Sequence, residues 1–128
     1  MRIKKVLFAL FIVVIIAGIA GAVVTSRLGK LVDVAVSNVD LAKIEDGTYT
    51  GTYKVFPVAA EVKVSLKNHI ITKIELVKHS NGQGAAAESI PGNVVTAQTL
   101  DVDLVSGATY SSKVILKAIE NALISAAK

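Results

Sequence analysis

Hydrophobic and polar positions divide the chain into three regimes. From Val6 to Val24 every residue is apolar or small, with Arg2, Lys4 and Lys5 before the run and Thr25, Ser26 and Arg27 after it. As a helix, this run is about 28 Å long, close to the hydrocarbon thickness of a bilayer. The pattern predicts an N-terminal transmembrane helix. A secretory signal has a shorter apolar core and a small-residue cleavage site, for which Ala20-Gly21-Ala22 would serve. The longer run favours an uncleaved anchor. Leu28, Leu31, Val32, Ala35, Val36 and Val39 then recur at helical spacing and predict a helical stalk.

Beyond Asp46-Gly47 the period changes. Thr48 to Phe56 is rich in β-branched and aromatic residues and reads as strand. Glu61 to Lys67 alternates, with Val62, Val64 and Leu66 on one face; Ile70 to Lys78 alternates too, with Ile70, Thr72, Ile74 and Leu76 together. Only Asn68-His69 separates these runs, and Asn tolerates the positive φ that a two-residue turn needs, so an antiparallel hairpin is expected. The 79–84 stretch breaks the pattern. Ala85 to Glu88 fits a helical turn, and Pro91, Val94, Val95 and Gln98 fit a short helix with proline near its start. Leu100 to Val105 reads as a further strand. Val114, Ile115, Ala118, Ile119, Ala122 and Leu123 form the stripe of a final helix, with Ser111 or Ser112 as N-cap. The expected fold class is α+β: a small antiparallel sheet packed with two or three helices, preceded by one transmembrane helix. The expected boundaries are 1–27 for the anchor (or uncleaved signal), 28–45 for the stalk and 46–128 for the folded domain.

Charge refines the picture. The net +4 comes from the N-terminal 30 residues, which carry five cations and no acid; the rest has nine lysines against ten acids. The basic residues flank an apolar segment, which removes the electrostatic basis for nucleic-acid binding. The weak excess of cations before the span favours an N-terminus in the cytoplasm and a domain outside. The absence of cysteine excludes disulfides, thiol catalysis and cysteine-ligated metal, and two histidines are too few for a histidine-rich metal site. No metal site is expected.

Chemistry concentrates in Asp103-Leu-Val-Ser106-Gly107-Ala108-Thr109-Tyr110-Ser111-Ser112, at the start of the final helix. Gly107 lets backbone approach a ligand closely. The first N–H groups of the helix, placed at 110–113, lack internal partners and would suit a phosphate, and the hydroxyls of Ser106, Thr109, Ser111 and Ser112 gather there. Such hydroxyls also occur simply as caps, so this local chemistry alone leaves phosphate binding and plain capping both open.

The string resembles the Asp-x-x-Ser/Thr-Gly-Ala-Thr motif of the FMN-binding domain family. That family includes a flavin-bearing component of the sodium-pumping NADH:quinone reductase, its counterpart in the Rnf complex, and small membrane-anchored flavoproteins. The resemblance covers most of 47–127 and takes in Asp46-Gly-Thr-Tyr-Thr-Gly-Thr-Tyr53, the Lys-His-Ser-Asn-Gly-Gln-Gly run at 78–84, and Ser106 to Ser112. It implies FMN joined by a phosphoester to Thr109. A separate Mg²⁺-dependent flavin transferase would form that bond outside the cytoplasmic membrane with FAD as donor. Asp103, Ser106, Gly107 and Ala108 match the positions the transferase recognises, with Tyr110 and Ser111 beside the cofactor. The loop that begins at His79 would border the flavin, with Gly82 and Gly84 bringing backbone near the ring and His79 or Glu88 tuning it. A strand-end histidine is equally readable as a surface residue, and Tyr49 and Tyr53 read as packing residues. The expected function is a single-pass, extracytoplasmic electron carrier. Its partners would be the membrane, the transferase, and redox proteins or a quinone-linked reductase. The alternatives are a flavin-dependent reductase of a small substrate, which leaves enzyme status open, and a non-catalytic membrane-tethered binding module.

Overall fold

The computed structural model describes residues 2–32, 35–80 and 85–127, with the side chains of α1 described for 2–19. The chain runs α1 (Arg2–Val32), β1 (Gly47–Val55), β2 (Val58–Lys67), β3 (Ile70–Ser80), α2 (Ile90–Ala97) and α3 (Thr109–Ala126), with 3₁₀ turns at Leu41–Lys43 and Ala85–Ser89. The strands form one antiparallel sheet in the order β1-β2-β3. The architecture is α+β, as the sequence predicts.

Turn chemistry sets both hairpins. Val55 pairs with Val58 across Phe56-Pro57, whose peptide bond is cis. Asn68 and His69 take φ of 53° and 63°, so both central residues of the second turn are left-handed, the conformation that matches strand twist. His69 is held further by Nδ1, which lies 3.1 Å from the Ile44 carbonyl and 3.2 Å from that of Leu41.

The core lies between one face of the sheet and the helices. Val62, Val64 and Leu66 of β2 are buried against Val114, Ile115, Ala118, Ile119, Ala122 and Leu123 of α3, so the predicted stripe and hairpin face meet. Tyr49 and Tyr53 pack on the rim of this core as expected. Gly51 governs how closely α3 approaches: a Cβ there would collide with the Ala118 carbonyl oxygen, and would lie 2.5 Å from the Ala122 nitrogen. On the outer face Lys63 pairs with Glu75 and Glu61 with Lys78, opposite charges in register.

Three local expectations give way. The alternation over β3 places Ile70 and Thr72 inward with Ile74 and Leu76, whereas Ile70 and Thr72 are exposed and Ile71 is buried. Irregularities at Ser65/Leu66 and Glu61/Val62 each admit one extra β3 residue, Thr72 and then Val77, and each reverses the phase of the strand. Leu100 to Val105 is not a strand. Its backbone is satisfied by side chains instead: Asn38 Oδ1 accepts from Leu100 N–H at 2.7 Å, Thr99 Oγ1 from Asp101 N–H at 3.1 Å, and Ser112 Oγ from Val105 N–H at 3.1 Å. The last helix begins at Thr109 with Ala108 as N-cap, not Ser111 or Ser112.

Of the stretch expected as a helical stalk over 28–45, α1 covers the part to Val32 and a 3₁₀ turn covers Leu41–Lys43. Residues 35–40 run without regular structure along the domain. Glu120 Oε2 accepts from Ser37 N–H at 3.3 Å, and Lys117 Nζ donates to the Ala35 carbonyl at 3.3 Å. Among the described residues, no helix is long and apolar enough to cross a membrane.

Candidate functional site

The start of α3 is built by a short, heavily tied turn. Ala108 N–H donates to the Val105 carbonyl at 3.0 Å, closing a β-turn over Ser106-Gly107. Gly107 occupies its third position with φ of 78°, a conformation that glycine enters freely and that strains any other common residue. Ser112 locks the turn from below. Its hydroxyl is fully buried, donates to the Ala108 carbonyl at 2.8 Å and accepts from Val105 N–H at 3.1 Å, so one side chain holds both ends.

Thr109 therefore emerges at a fixed place, as the first residue of an 18-residue helix. Ala108 offers no capping side chain, and the first turn holds no acid. Backbone bonding of α3 starts with Ser112 N–H to the Ala108 carbonyl at 2.9 Å, which leaves the N–H groups of Thr109, Tyr110 and Ser111 without intrahelical acceptors. The free donors thus sit at 109–111 rather than at 110–113. Three donors without a helical or capping partner among the described residues, at the positive end of a long helix and beside half-buried Thr109, suit an anionic phosphoryl group. Among the described residues, nothing beyond its chain neighbours lies within 4 Å of where a Cβ on Gly107 would sit. These residues fit the phosphate of FMN.

The other motif residues divide by exposure. Ser106 and Gly107 are exposed and Tyr110 is 39% exposed, whereas Ala108 and Ser111 are buried. The hydroxyls expected to gather at one spot therefore have different surroundings, with Ser112 committed to the fold. Asp103 lies apart, exposed in an open hollow of about 370 Å³ with Asn93 and Thr96 of α2 and with Asp101. Two carboxylates make that hollow unsuited to phosphate. A second hollow, of about 320 Å³, is lined by Thr52, Lys54, Glu61, Lys78 and Ser80 and shares no residue with the Thr109 turn.

His79 is the unexpected member. The two irregularities of β3 bring it back to the core side, opposite Ala60, and its side chain is only 2% exposed. The surface reading of this residue is thereby corrected. Nδ1 lies 3.2 Å from Glu88 Oε1 on the Ala85–Ser89 turn, while Nε2 is buried with no hydrogen-bond partner among the described residues. Leaving such a group unpaired costs about 1–3 kcal/mol. Gly82 and Gly84 lie outside the described residues. Among those residues no group of three acidic or histidine side chains is placed to hold a metal ion.

Followed backwards from Leu123, which lies beside Ile71, α3 passes over Gly51 at Ala118 and Ala122. In register, Ile71 pairs with Leu66 and Gly51 with Val62, so this direction leads toward the sheet end formed by Val55, Val58 and Ser80. Thr109 and His79 thus belong to the same end of the domain.

Residues 57–124 match the family model of the FMN-binding domain, a span that takes in β2, β3, α2, the 105–108 turn and nearly all of α3. A relative from Treponema pallidum (strain Nichols), described as an uncharacterised protein, is 31% identical over 85 residues, which cover 64% of this chain and 24% of that protein. The chain therefore spans about a quarter of that relative's length. With the matched span covering more than half of its residues, the chain belongs to the FMN-binding domain family, a family of flavoprotein domains.

Proposed function

We propose that the protein is a membrane-anchored electron carrier, facing outward from the cytoplasmic membrane, with FMN esterified to Thr109. The observation that carries the reading is the start of α3, which has no side-chain cap: three N–H groups without a helical partner among the described residues flank Thr109 on a turn locked by Gly107 and Ser112. A threonine hydroxyl is a weak nucleophile unaided, and nothing nearby among the described residues serves as a base, so activation falls to a separate enzyme. With FAD as donor, the Thr109 Oγ1–P bond forms and the pyrophosphate bond breaks. AMP leaves, and the hydroxyl proton passes to the transferase. Exposed Ser106, Gly107 and Asp103 present the segment to that enzyme, while buried Ser112 keeps its shape.

Once attached, FMN supplies reversible redox chemistry. The chain's own residues hold the phosphate at the helix start and retain a soluble cofactor against dilution outside the cell. Location rests on the N-terminal segment: Val6, Leu7, Phe8, Phe11, Ile16 and Ile19 of α1 are each 57% or more exposed, far more apolar surface than a soluble helix leaves bare. No pair of catalytic carboxylates and no Ser-His-Asp arrangement accompanies Thr109 among the described residues, which favours a carrier over a reductase of small substrates.

The test is co-expression with a flavin transferase followed by denaturing electrophoresis and intact-mass measurement. A fluorescent band and a mass gain of FMN less one water, both lost in Thr109→Ala, are expected. Protein of unmodified mass after co-expression, or a fluorescent band that survives in Thr109→Ala, would refute attachment at this residue.

A further inference from the structure

The sheet carries one buried polar group that the attachment chemistry leaves unused. His79 faces the core side at the end of β3, opposite Ala60, with the Ala85–Ser89 turn and α3 packed in the same layer. Its side chain is 2% exposed, and Nε2 has no partner among the described residues. Buried polar atoms in folded proteins are paired in the great majority of cases, so an orphan of this kind points to a missing ligand.

Glu88 decides what that atom can do. An ionised carboxylate only accepts hydrogen bonds, so the 3.2 Å contact makes Nδ1 the donor. With the proton fixed on Nδ1, the neutral ring presents Nε2 as a bare acceptor. Half-exposed Glu88 thus sets the tautomer from the solvent side, while the acceptor lies inside. The cross-strand neighbour of His79, Ala60, is small and buried and offers no side-chain donor.

Resting on the reading that FMN is tethered at Thr109, we propose that His79 Nε2 accepts a hydrogen bond from a ring N–H of the isoalloxazine, with Glu88 as the positioning residue that fixes the imidazole tautomer. The phosphate end at Thr109 and the acceptor at His79 belong to the same end of the domain, with the flexible ribityl chain to join them. The oxidised ring offers one N–H and the reduced ring offers more, so an acceptor that meets an N–H formed on reduction favours the reduced state. His79 then becomes a determinant of potential without being part of the attachment chemistry.

The experiment uses ¹⁵N-histidine labelling of the full chain, which gives two imidazoles only. His69, tied to the Leu41 and Ile44 carbonyls, serves as the internal reference. On flavinylation the Nε2 resonance of His79, of the unprotonated type, is expected to move upfield while His69 stays in place. Glu88→Gln, which frees the tautomer at nearly constant volume, and His79→Gln should each shift the midpoint potential of the flavinylated protein downward. A tenfold loss in the preference for reduced flavin reads as about 30 mV for a two-electron couple. An unmoved Nε2 resonance together with unchanged potentials, in protein shown by fluorescence to carry covalent flavin, would overturn the proposal. Titrating free FMN into unflavinylated protein with the same readout separates the two ideas. Movement of Nε2 there supports His79 as a ring contact, and if co-expression with the transferase gives no covalent band, Thr109 is removed as the anchor point while His79 stands.

Discussion

At the scale of single residues, the site depends on side chains that touch no cofactor. Ser112 gives its one proton to the Ala108 carbonyl in a buried bond and its lone pair to the part-buried Val105 N–H. Ser112→Ala would leave Val105 N–H unpaired, which costs about 1–3 kcal/mol. It should also lower the yield of flavinylated protein, because the segment presented to the transferase loses its shape. Chemical denaturation of the unflavinylated protein, compared with fluorescent-band intensity, separates these effects. A variant of unchanged stability and full flavinylation would remove Ser112 from the account. Gly107→Ala attacks the same turn through the backbone. Open space surrounds the missing Cβ, so the penalty is the strain of φ at 78°, about 1 kcal/mol or slightly more. The motif residues were readable in the sequence, but their division of labour was not. A serine four residues after Ala108 reads as a cap, and only the fold shows it reaching back to hold a turn.

At the scale of elements, legibility followed how local each signal is. The α3 stripe, the left-handed Asn68-His69 turn and Pro91 near the start of α2 depend on spacing or on one residue's backbone preference, and all three are present. The phase of β3 depends on its partner strand. Its alternation is regular through Leu76, yet the extra residues Thr72 and Val77 shift the inward positions to Ile71, Ile74, Leu76 and His79. That shift is why His79, readable from the sequence as either a flavin-bordering or a surface residue, has a buried side chain. Residues 100–105 have strand-like composition but pair with no strand of the sheet. On β3, Gln98 takes the place of a neighbouring strand at Ile71: its Oε1 accepts from Ile71 N–H and its Nε2 donates to the Ile71 carbonyl, each at 2.8 Å. Gly51 is where α3 lies against β1 with no room for a side chain. Gly51→Ala would drive a methyl group into the Ala118 carbonyl, a backbone atom that cannot swing aside. It should destabilise the domain by about 3 kcal/mol through overpacking. Thermal unfolding reads this directly, and a variant with unchanged Tm would mean that α3 sits farther from the sheet than the structure places it.

At the scale of the whole molecule, the proposed location turns on how the N-terminal segment joins the domain. The chain leaving α1 is held to the domain by two clasps. One is formed by Ala35 and Ser37 with the Lys117–Glu120 pair, and the other by Asn38 Oδ1 accepting from Leu100 N–H and Thr99 Oγ1–H. The first clasp lies about 15 Å along α3 from Thr109. Because the natural chain has no cysteine, single cysteines report its topology without background. Lys4→Cys precedes the apolar run and Ser125→Cys is exposed near the end of α3. In intact cells a membrane-impermeant maleimide should label Ser125→Cys and spare Lys4→Cys until the membrane is permeabilised. Replacing Ile12 and Ile16 with lysine, at about 3 kcal/mol of insertion cost each, should release the protein from the membrane fraction. If Ser125→Cys is protected in intact cells, the domain faces the cytoplasm, out of reach of an external transferase. The fluorescent band expected of Thr109 should then be absent from the same preparation, so the location and the attachment stand or fall together.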